Sequence, residues 1–342
     1  MQWIRKRSER LGAWLVLLAV LVVGLPGLFA VLWLVPTPYY VTAPGAAIDT
    51  SRLVSVQNGH PRKGQLFMLV LNAQPANLFF YLDAKLDHRV DLETKQDFLG
   101  AIPDYNKYME LSNQMMADSQ KTAKALALKA LGYGKGVTMD GVAVVDLGTG
   151  SPAVGHLQKG DVITGVEGRP VNTAAEIADV MKGIKPGATV KVRVRRGSQE
   201  IDLEVPTTES PDPAKKGMAA FNIFITADLK FDLPIPVTIS AGSINGPSAG
   251  LMFTLQIIDQ LSPKPLAGNK RIAGTGTIEP DGSVGPIGGV QQKVYTAEAA
   301  GAQVMFVPQA NYDDARKVAT HLQLVPVRTL DDALAWLKTN AG

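Results

Sequence analysis

The sequence predicts a multidomain α+β protein with a single transmembrane helix at its amino end, on three observations. Leu11 to Val35 contains no charged residue, residues 132–207 read as strands around one short helix, and residues 208–342 mix strands and helices. The remaining composition is that of an ordinary globular chain, with 46% hydrophobic and 19% charged residues and a net charge of +3. That balance points to no nucleic-acid partner.

Residues 1–10 form a basic tail with Arg5, Lys6, Arg7 and Arg10. Residues 11–35 are long enough for a bilayer, which needs roughly 20 apolar residues. The positive-inside rule places the tail in the cytoplasm and the chain after Pro36 outside, with Trp33, Tyr39 and Tyr40 at the outer interface. A cleaved signal peptide is the alternative, but its apolar core usually runs only about 7–15 residues. The lipid bilayer is therefore an expected partner, and the catalytic part is expected to be extracytoplasmic.

Residues 36–131 are expected to form a separate β-rich and helical region. Gln65–Leu71 and Asn77–Leu82 read as strands, and residues 104–131 as a helix whose Met109, Met116, Ala123, Ala127 and Ala130 suit packing. Residues 132–207 follow, with a strand from Gly141 to Leu147, a turn at Ser151–Pro152–Ala153, a helix from Ala174 to Met181, and later strands at 188–195 and 200–205. From 208 to 342 the expected order is a strand at Val237–Ser240, an apolar helix from Leu251 to Leu261, and a hairpin around Glu279–Gly282. A helix from Val290, a strand at Val304–Val307, a helix at Asp313–His321, a strand at Leu324–Val327 and a helix at Leu330–Lys338 complete it.

Lys293 is the most informative residue. Val290, Lys293, Val294 and Ala297 follow the i, i+3, i+4, i+7 spacing of one otherwise apolar helix face. An amine held there loses solvation of its charged form, so its pKa falls and it can act as a base. Gly246–Pro247–Ser248–Ala249–Gly250 places a serine between small residues at the start of an apolar helix. Ser248 is a plausible nucleophile for that base within the turn of Gly246, Pro247, Ala249 and Gly250, and unpaired backbone amides at that helix start can stabilise an oxyanion. Taken singly, a lysine on such a face more often snorkels to water, and such a glycine-rich string is often only a turn. Serine plus lysine, without histidine, suggests peptide-bond hydrolysis.

The stretch from about Val237 to Pro308 resembles the proteolytic domain of Lon-type serine peptidases. Gly246–Gly250 matches the nucleophile motif and Pro286–Lys293 the lysine motif, so the resemblance makes Ser248 the nucleophile and Lys293 its base. It also makes Thr275, in Ala273–Ile278, the hydroxyl that helps to hold the lysine. Asn245 stands where classical members carry an aspartate. Residues 132–207 are similar to a PDZ domain of the bacterial protease type, in which an extended peptide would add beside Gly141–Asp146, with 135–140 as the end-binding turn. The whole chain resembles bacterial membrane-anchored PDZ-Lon peptidases. The resemblance implies cleavage of unfolded extracytoplasmic polypeptides, and it allows a homo-oligomeric ring, of six members in many Lon-type domains.

No cofactor or metal is expected. The chain has no cysteine, and His60, His88, His156 and His321 show no metal-ligand spacing. Its nearest approach to a Walker A string, Gly150 to Leu157, has His156 and Leu157 where lysine and Ser/Thr are required, so no ATP-driven motor is expected. Two rivals remain. In an α/β-hydrolase Ser248 would work with Asp313 or Asp314 and His321. A catalytically silent PDZ scaffold would only bind peptides.

Overall fold

The computed structural model describes residues 14, 22, 24–62, 65–100, 102, 104–210 and 216–340. The expected basic tail and residues 11–13, 15–21 and 23 of the expected 11–35 span lie outside the described residues. Within that span a helix runs from Leu25 to Leu34 with no buried residue. Among the described residues no helix is long and apolar enough to cross a membrane.

The chain forms two compact units, one of residues 1–133 with 234–342 and one of residues 134–233. This partition differs from the expected boundaries at 132 and 208, and it removes the separate 36–131 region. The reason is strand pairing. The larger unit holds a six-stranded sheet in which the Leu66–Asn77 strand lies between Pro36–Asp49 and Ile272–Gly274. Ile272–Gly274 pairs parallel with Leu66–Met68 on one side and with Val304–Phe306 on the other. The first hundred residues thus supply three strands, including Asp91–Thr94, to the sheet completed by the carboxyl-terminal segment.

Successive residues of a strand face opposite sides, so this sheet can carry a helix on each face. On one face Phe67, Leu69, Ala273, Met305 and Val307 pack against Val290, Val294 and Ala297 of the Val290–Ala299 helix. On the other, Gly274 lies so close to Met252 that no Cβ would fit, and Phe306 meets Trp336 edge-on at 5.5 Å. Leu251, Met252, Phe253, Leu255, Ile257 and Ile258 are all buried in the Gly250–Leu261 helix.

Two local expectations are corrected. Asn77–Leu82 is no strand: Asn77 Oδ1 accepts the Phe80 N–H, and this cap turns the aromatic run into the Leu78–Leu86 helix. The expected Asp313–His321 helix is only Tyr312–Arg316, because the Glu298 carboxylate takes the amides of Thr320 and His321. The long Tyr105–Ala130 helix forms as expected, with Met116, Ala123 and Ala127 buried.

In the smaller unit the sheet order begins with Ile223–Phe231, which pairs antiparallel with Val137–Leu147, followed by Val162–Val166, Thr189–Arg196 and Gln199–Pro206. Val142, Val144, Ile163, Val192 and Val194 fill its core with Ile177 and Met181 of the Ala174–Met181 helix. The Thr173 hydroxyl and the Glu176 carboxylate close a capping box on that helix. A fragment of residues 134–233 is expected to unfold cooperatively in urea. A fragment of residues 132–207, which lacks the Ile223–Phe231 strand, should lose that cooperativity, as monitored by circular dichroism.

Candidate active site

The serine turn is built by a backbone only glycine tolerates and by the Tyr105–Ala130 helix from the first half of the chain. Gly246 has φ +82°, a left-handed conformation that lets the turn enter the helix. The Gly246 N–H donates to the Ser112 carbonyl at 3.1 Å, and the Ser119 hydroxyl donates to the Pro247 carbonyl at 3.2 Å. A Cβ on Gly250 would lie 2.6 Å from Ser119 Oγ, so glycine is what lets the two helices approach. Ser112 and Ser119 are buried. Sequence reasoning missed both, since they sit more than a hundred residues from the turn, and the only hint was two serines on the packing face of a long helix.

The lysine arrives from the opposite face of the sheet. Gly289, at φ +63°, starts the helix, and Val290, Lys293, Val294 and Ala297 are buried as one face, Lys293 retaining only 2% exposure. Lys293 Nζ lies 2.7 Å from Ser248 Oγ and 2.8 Å from Thr275 Oγ1. The Thr275 hydroxyl in turn donates to the Ser248 carbonyl at 3.1 Å. Three residues quoted from separate parts of the sequence therefore meet around one amine.

Burial depresses the Lys293 pKa from 10.5 to about 7. No carboxylate is among the causes of that shift. The neutral amine can donate one N–H to Thr275 and turn its lone pair to the Ser248 O–H. Gly250 N–H and Leu251 N–H are engaged by the carbonyls of Pro247 and Gly276. Among the described residues the amides of Ser248, Ala249 and Met252 have no protein acceptor at this helix start. Asn245 donates through Nδ2 to the Met109 sulfur at 3.7 Å.

A cavity of about 550 Å³ opens on this cluster, lined by Ser248 and Lys293 and by the backbone from Leu69 to Ala73. Pairing with Ile272–Gly274 stops at Met68, so one edge of the strand beyond it is unpaired along the cavity. Asp91, Glu93 and Asp97 line the cavity wall, and burial, then the charges of Asp91 and Asp97, push the Glu93 pKa up.

His321, Asp313 and Asp314 are exposed, and the hydrogen bond of His321 runs from its backbone to Glu298. Ser248 has Lys293, not histidine, beside it, so the hydrolase triad is not assembled. The expected peptide edge is also displaced. Gly141–Asp146 is flanked by Ile223–Phe231 on one side and by Val162–Val166 on the other, and residues 137–140 of the expected end-binding turn are strand. The sheet order leaves the Ile223–Phe231 strand at the edge, and the Ala174–Met181 helix packs against it. Among the described residues no group of three or more His, Asp or Glu is placed to hold a metal ion.

Comparison with known proteins finds two domain models along the chain. A PDZ domain model matches residues 117–207, and the Lon protease (S16) C-terminal proteolytic domain model matches residues 217–339. The Lon protease of Campylobacter concisus is 29% identical over 164 residues, which are 46% of this chain and 20% of that protein. Lon protease 1 of Sorangium cellulosum is 38% identical over 108 residues, 30% of this chain and 13% of that protein. The PDZ domain of the SdrC-like protein from Listeria monocytogenes is 28% identical, covers 26% of this chain and 90% of its own, and has a TM-score of 0.24. The chain thus spans a fifth or less of the length of those two Lon relatives. The matched segments place a Lon protease (S16) C-terminal proteolytic domain behind a PDZ domain.

Two measurements test the electrostatics without reference to activity. The Lys293 side chain should titrate with a midpoint near 7 when followed by nitrogen-15 NMR. Between about 7 and 10.5 the folded chain binds fewer protons at this site than the unfolded chain, so this group's contribution makes stability rise with pH across that window. Lys293→Met removes the dependence. Its Tm should exceed that of the parent clearly at pH 7, with the gap closing toward pH 10, and a gap independent of pH would contradict the assigned burial.

Proposed function

We propose that this chain is a membrane-anchored endopeptidase that cleaves unfolded or extended polypeptides outside the cytoplasm, without ATP, through Ser248 and Lys293. The observation that carries the reading is the buried amine 2.7 Å from the serine hydroxyl. Lys293 takes the Ser248 proton as Oγ attacks the scissile carbonyl, and the amides of Ser248 and Ala249 receive the oxyanion. The ammonium then protonates the leaving amine, which departs and leaves an acyl ester on Ser248. Lys293, neutral again, activates the water that releases it. Thr275 holds the amine so that its lone pair faces Ser248, and a substrate strand lies along the unpaired edge of residues 69–73.

Membrane attachment rests on the uncharged run from Leu11 to Val35 behind four basic residues. Independence from ATP rests on the sequence, which contains no Walker A motif. For the PDZ-like unit, the edge of Ile223–Phe231 replaces Gly141–Asp146 as the proposed acceptor of an extended peptide, since it is the unpaired edge beside the Ala174–Met181 helix. A homo-oligomeric ring remains a proposal from the Lon relationship.

Ser248→Ala and Lys293→Ala are each expected to abolish cleavage of an unfolded protein, and the double variant should be no worse than either, because the two act as one unit. His321→Ala should leave turnover unchanged. Near-parental activity in either single variant would sink the dyad. Thr275→Val should lower the maximal rate and also move the rising limb of the pH profile downward, because Thr275 accepts a hydrogen bond that favours the ammonium. Adding ATP and magnesium should change nothing.

Replacing residues 134–233 by a short flexible linker tests the peptide edge. KM should rise for a protein substrate and much less for a short peptide, because only the former depends on capture near the site. An equal effect on both would assign the unit a structural role, and faster cleavage of both would make it a restraint.

A further inference from the structure

We propose that the Leu78–Leu86 helix lies in the surface of a lipid bilayer, its apolar face immersed beside the point where the chain emerges. The inference rests on the membrane reading above and goes beyond it, because it assigns a lipid-facing surface to the folded proteolytic unit itself. Phe79, Leu82 and Leu86 fall at i, i+3 and i+7 and form one stripe of that helix. They are 37%, 44% and 88% exposed, so the stripe faces away from the unit's own core. No residue of this helix is buried, and exposed apolar surface of this kind calls for a partner.

The occupant follows from what the stripe is joined to. Trp33, at the end of the uncharged run, packs its ring 5.9 Å from Phe79 and 5.6 Å from Phe80, and it stacks on Phe29 at 5.9 Å. Asn77 fixes the junction from both directions, since Oδ1 caps the Leu78–Leu86 helix while Nδ2 donates to the Trp33 carbonyl at 3.0 Å. Leu78 N–H donates to the Val35 carbonyl at 2.9 Å. The helix is therefore clamped to the last turn of Leu25–Leu34, every residue of which is apolar, and any bilayer that receives that segment meets the stripe next. Aromatic side chains gathered at such a level and an amphipathic helix beside them suit the headgroup region. Lys85 lies over the Tyr81 ring at 5.6 Å on the flank of the helix, where an ammonium can reach water while its stem stays in the interface.

The absence of cysteine makes a direct test simple. Full-length chains carrying Phe29→Cys, Leu82→Cys, Leu86→Cys or Lys338→Cys are labelled with an environment-sensitive fluorophore. They are reconstituted into phosphatidylcholine vesicles that contain a lipid with a nitroxide high on its acyl chain. Labels at 82 and 86 are expected to lose roughly half their emission, as burial of about 5–10 Å into the headgroup boundary requires. The label at 29 should be quenched as well, and that at 338 should be untouched. Quenching at 29 without quenching at 82 and 86 overturns the surface and leaves the anchor standing. Quenching at none of the four overturns the membrane reading and this surface together. Disulfide-linked dimers formed on oxidation of unlabelled Leu86→Cys vesicles, with no quenching at 82, would give the stripe to a second copy of the chain and reject the bilayer.

Discussion

The core of the larger unit holds one amine out of water. Lys293 is buried with the hydroxyl oxygens of Ser248 and Thr275 within hydrogen-bond reach of its nitrogen, and a cation in that position is disfavoured. The chemistry proposed for the site requires a neutral amine near pH 7, and the core provides it by exclusion of solvent rather than by charge. The same burial that lowers the lysine's pKa makes it a weak point of the core. A methionine there would pack as well without the solvation penalty.

The serine side is arranged by complementary means. Its turn hangs on two buried serines of the Tyr105–Ala130 helix, one through its backbone and one through its hydroxyl. Ser248 also offers its own carbonyl to Thr275 and to the Gly276 amide, so the strand beside the cavity fixes the turn while Thr275 fixes the amine. Ser248, Lys293 and Thr275 are thus referenced to a single backbone segment. Such coupling keeps distances short without any ion pair in the cluster.

Much of this was legible in the residues, and what was not has a physical cause. The burial of Val290, Lys293, Val294 and Ala297 follows from helical periodicity, and the Ala174–Met181 helix follows from its capping residues and apolar spacing. Periodicity reports only which face is apolar, not what covers it. Hence the joining of residues 36–131 to the carboxyl-terminal sheet was hidden, because it depends on parallel pairing between Leu66–Met68 and Ile272–Gly274. The aromatic run after Asn77 favours a strand by composition, and one side-chain cap reverses it. The edge strand Ile223–Phe231 lies past the point where the repeating strand pattern stops, so nothing local ties it to Val137–Leu147.

The insertion of the smaller unit between residues 133 and 234 has a consequence in time. A ribosome finishes residues 134–233 while the strand Leu66–Asn77 still lacks its neighbour, since Ile272–Gly274 has yet to be made. The smaller unit can therefore close on itself first. The interrupted sheet must wait, and it then closes a loop of about two hundred residues, a slow class of contact. Ser248 and Lys293 flank that late strand in the chain and meet across it. A nascent chain consequently keeps Ser248 and Lys293 apart until that strand is in place, and under the proposed mechanism competence for hydrolysis coincides with completion of the fold.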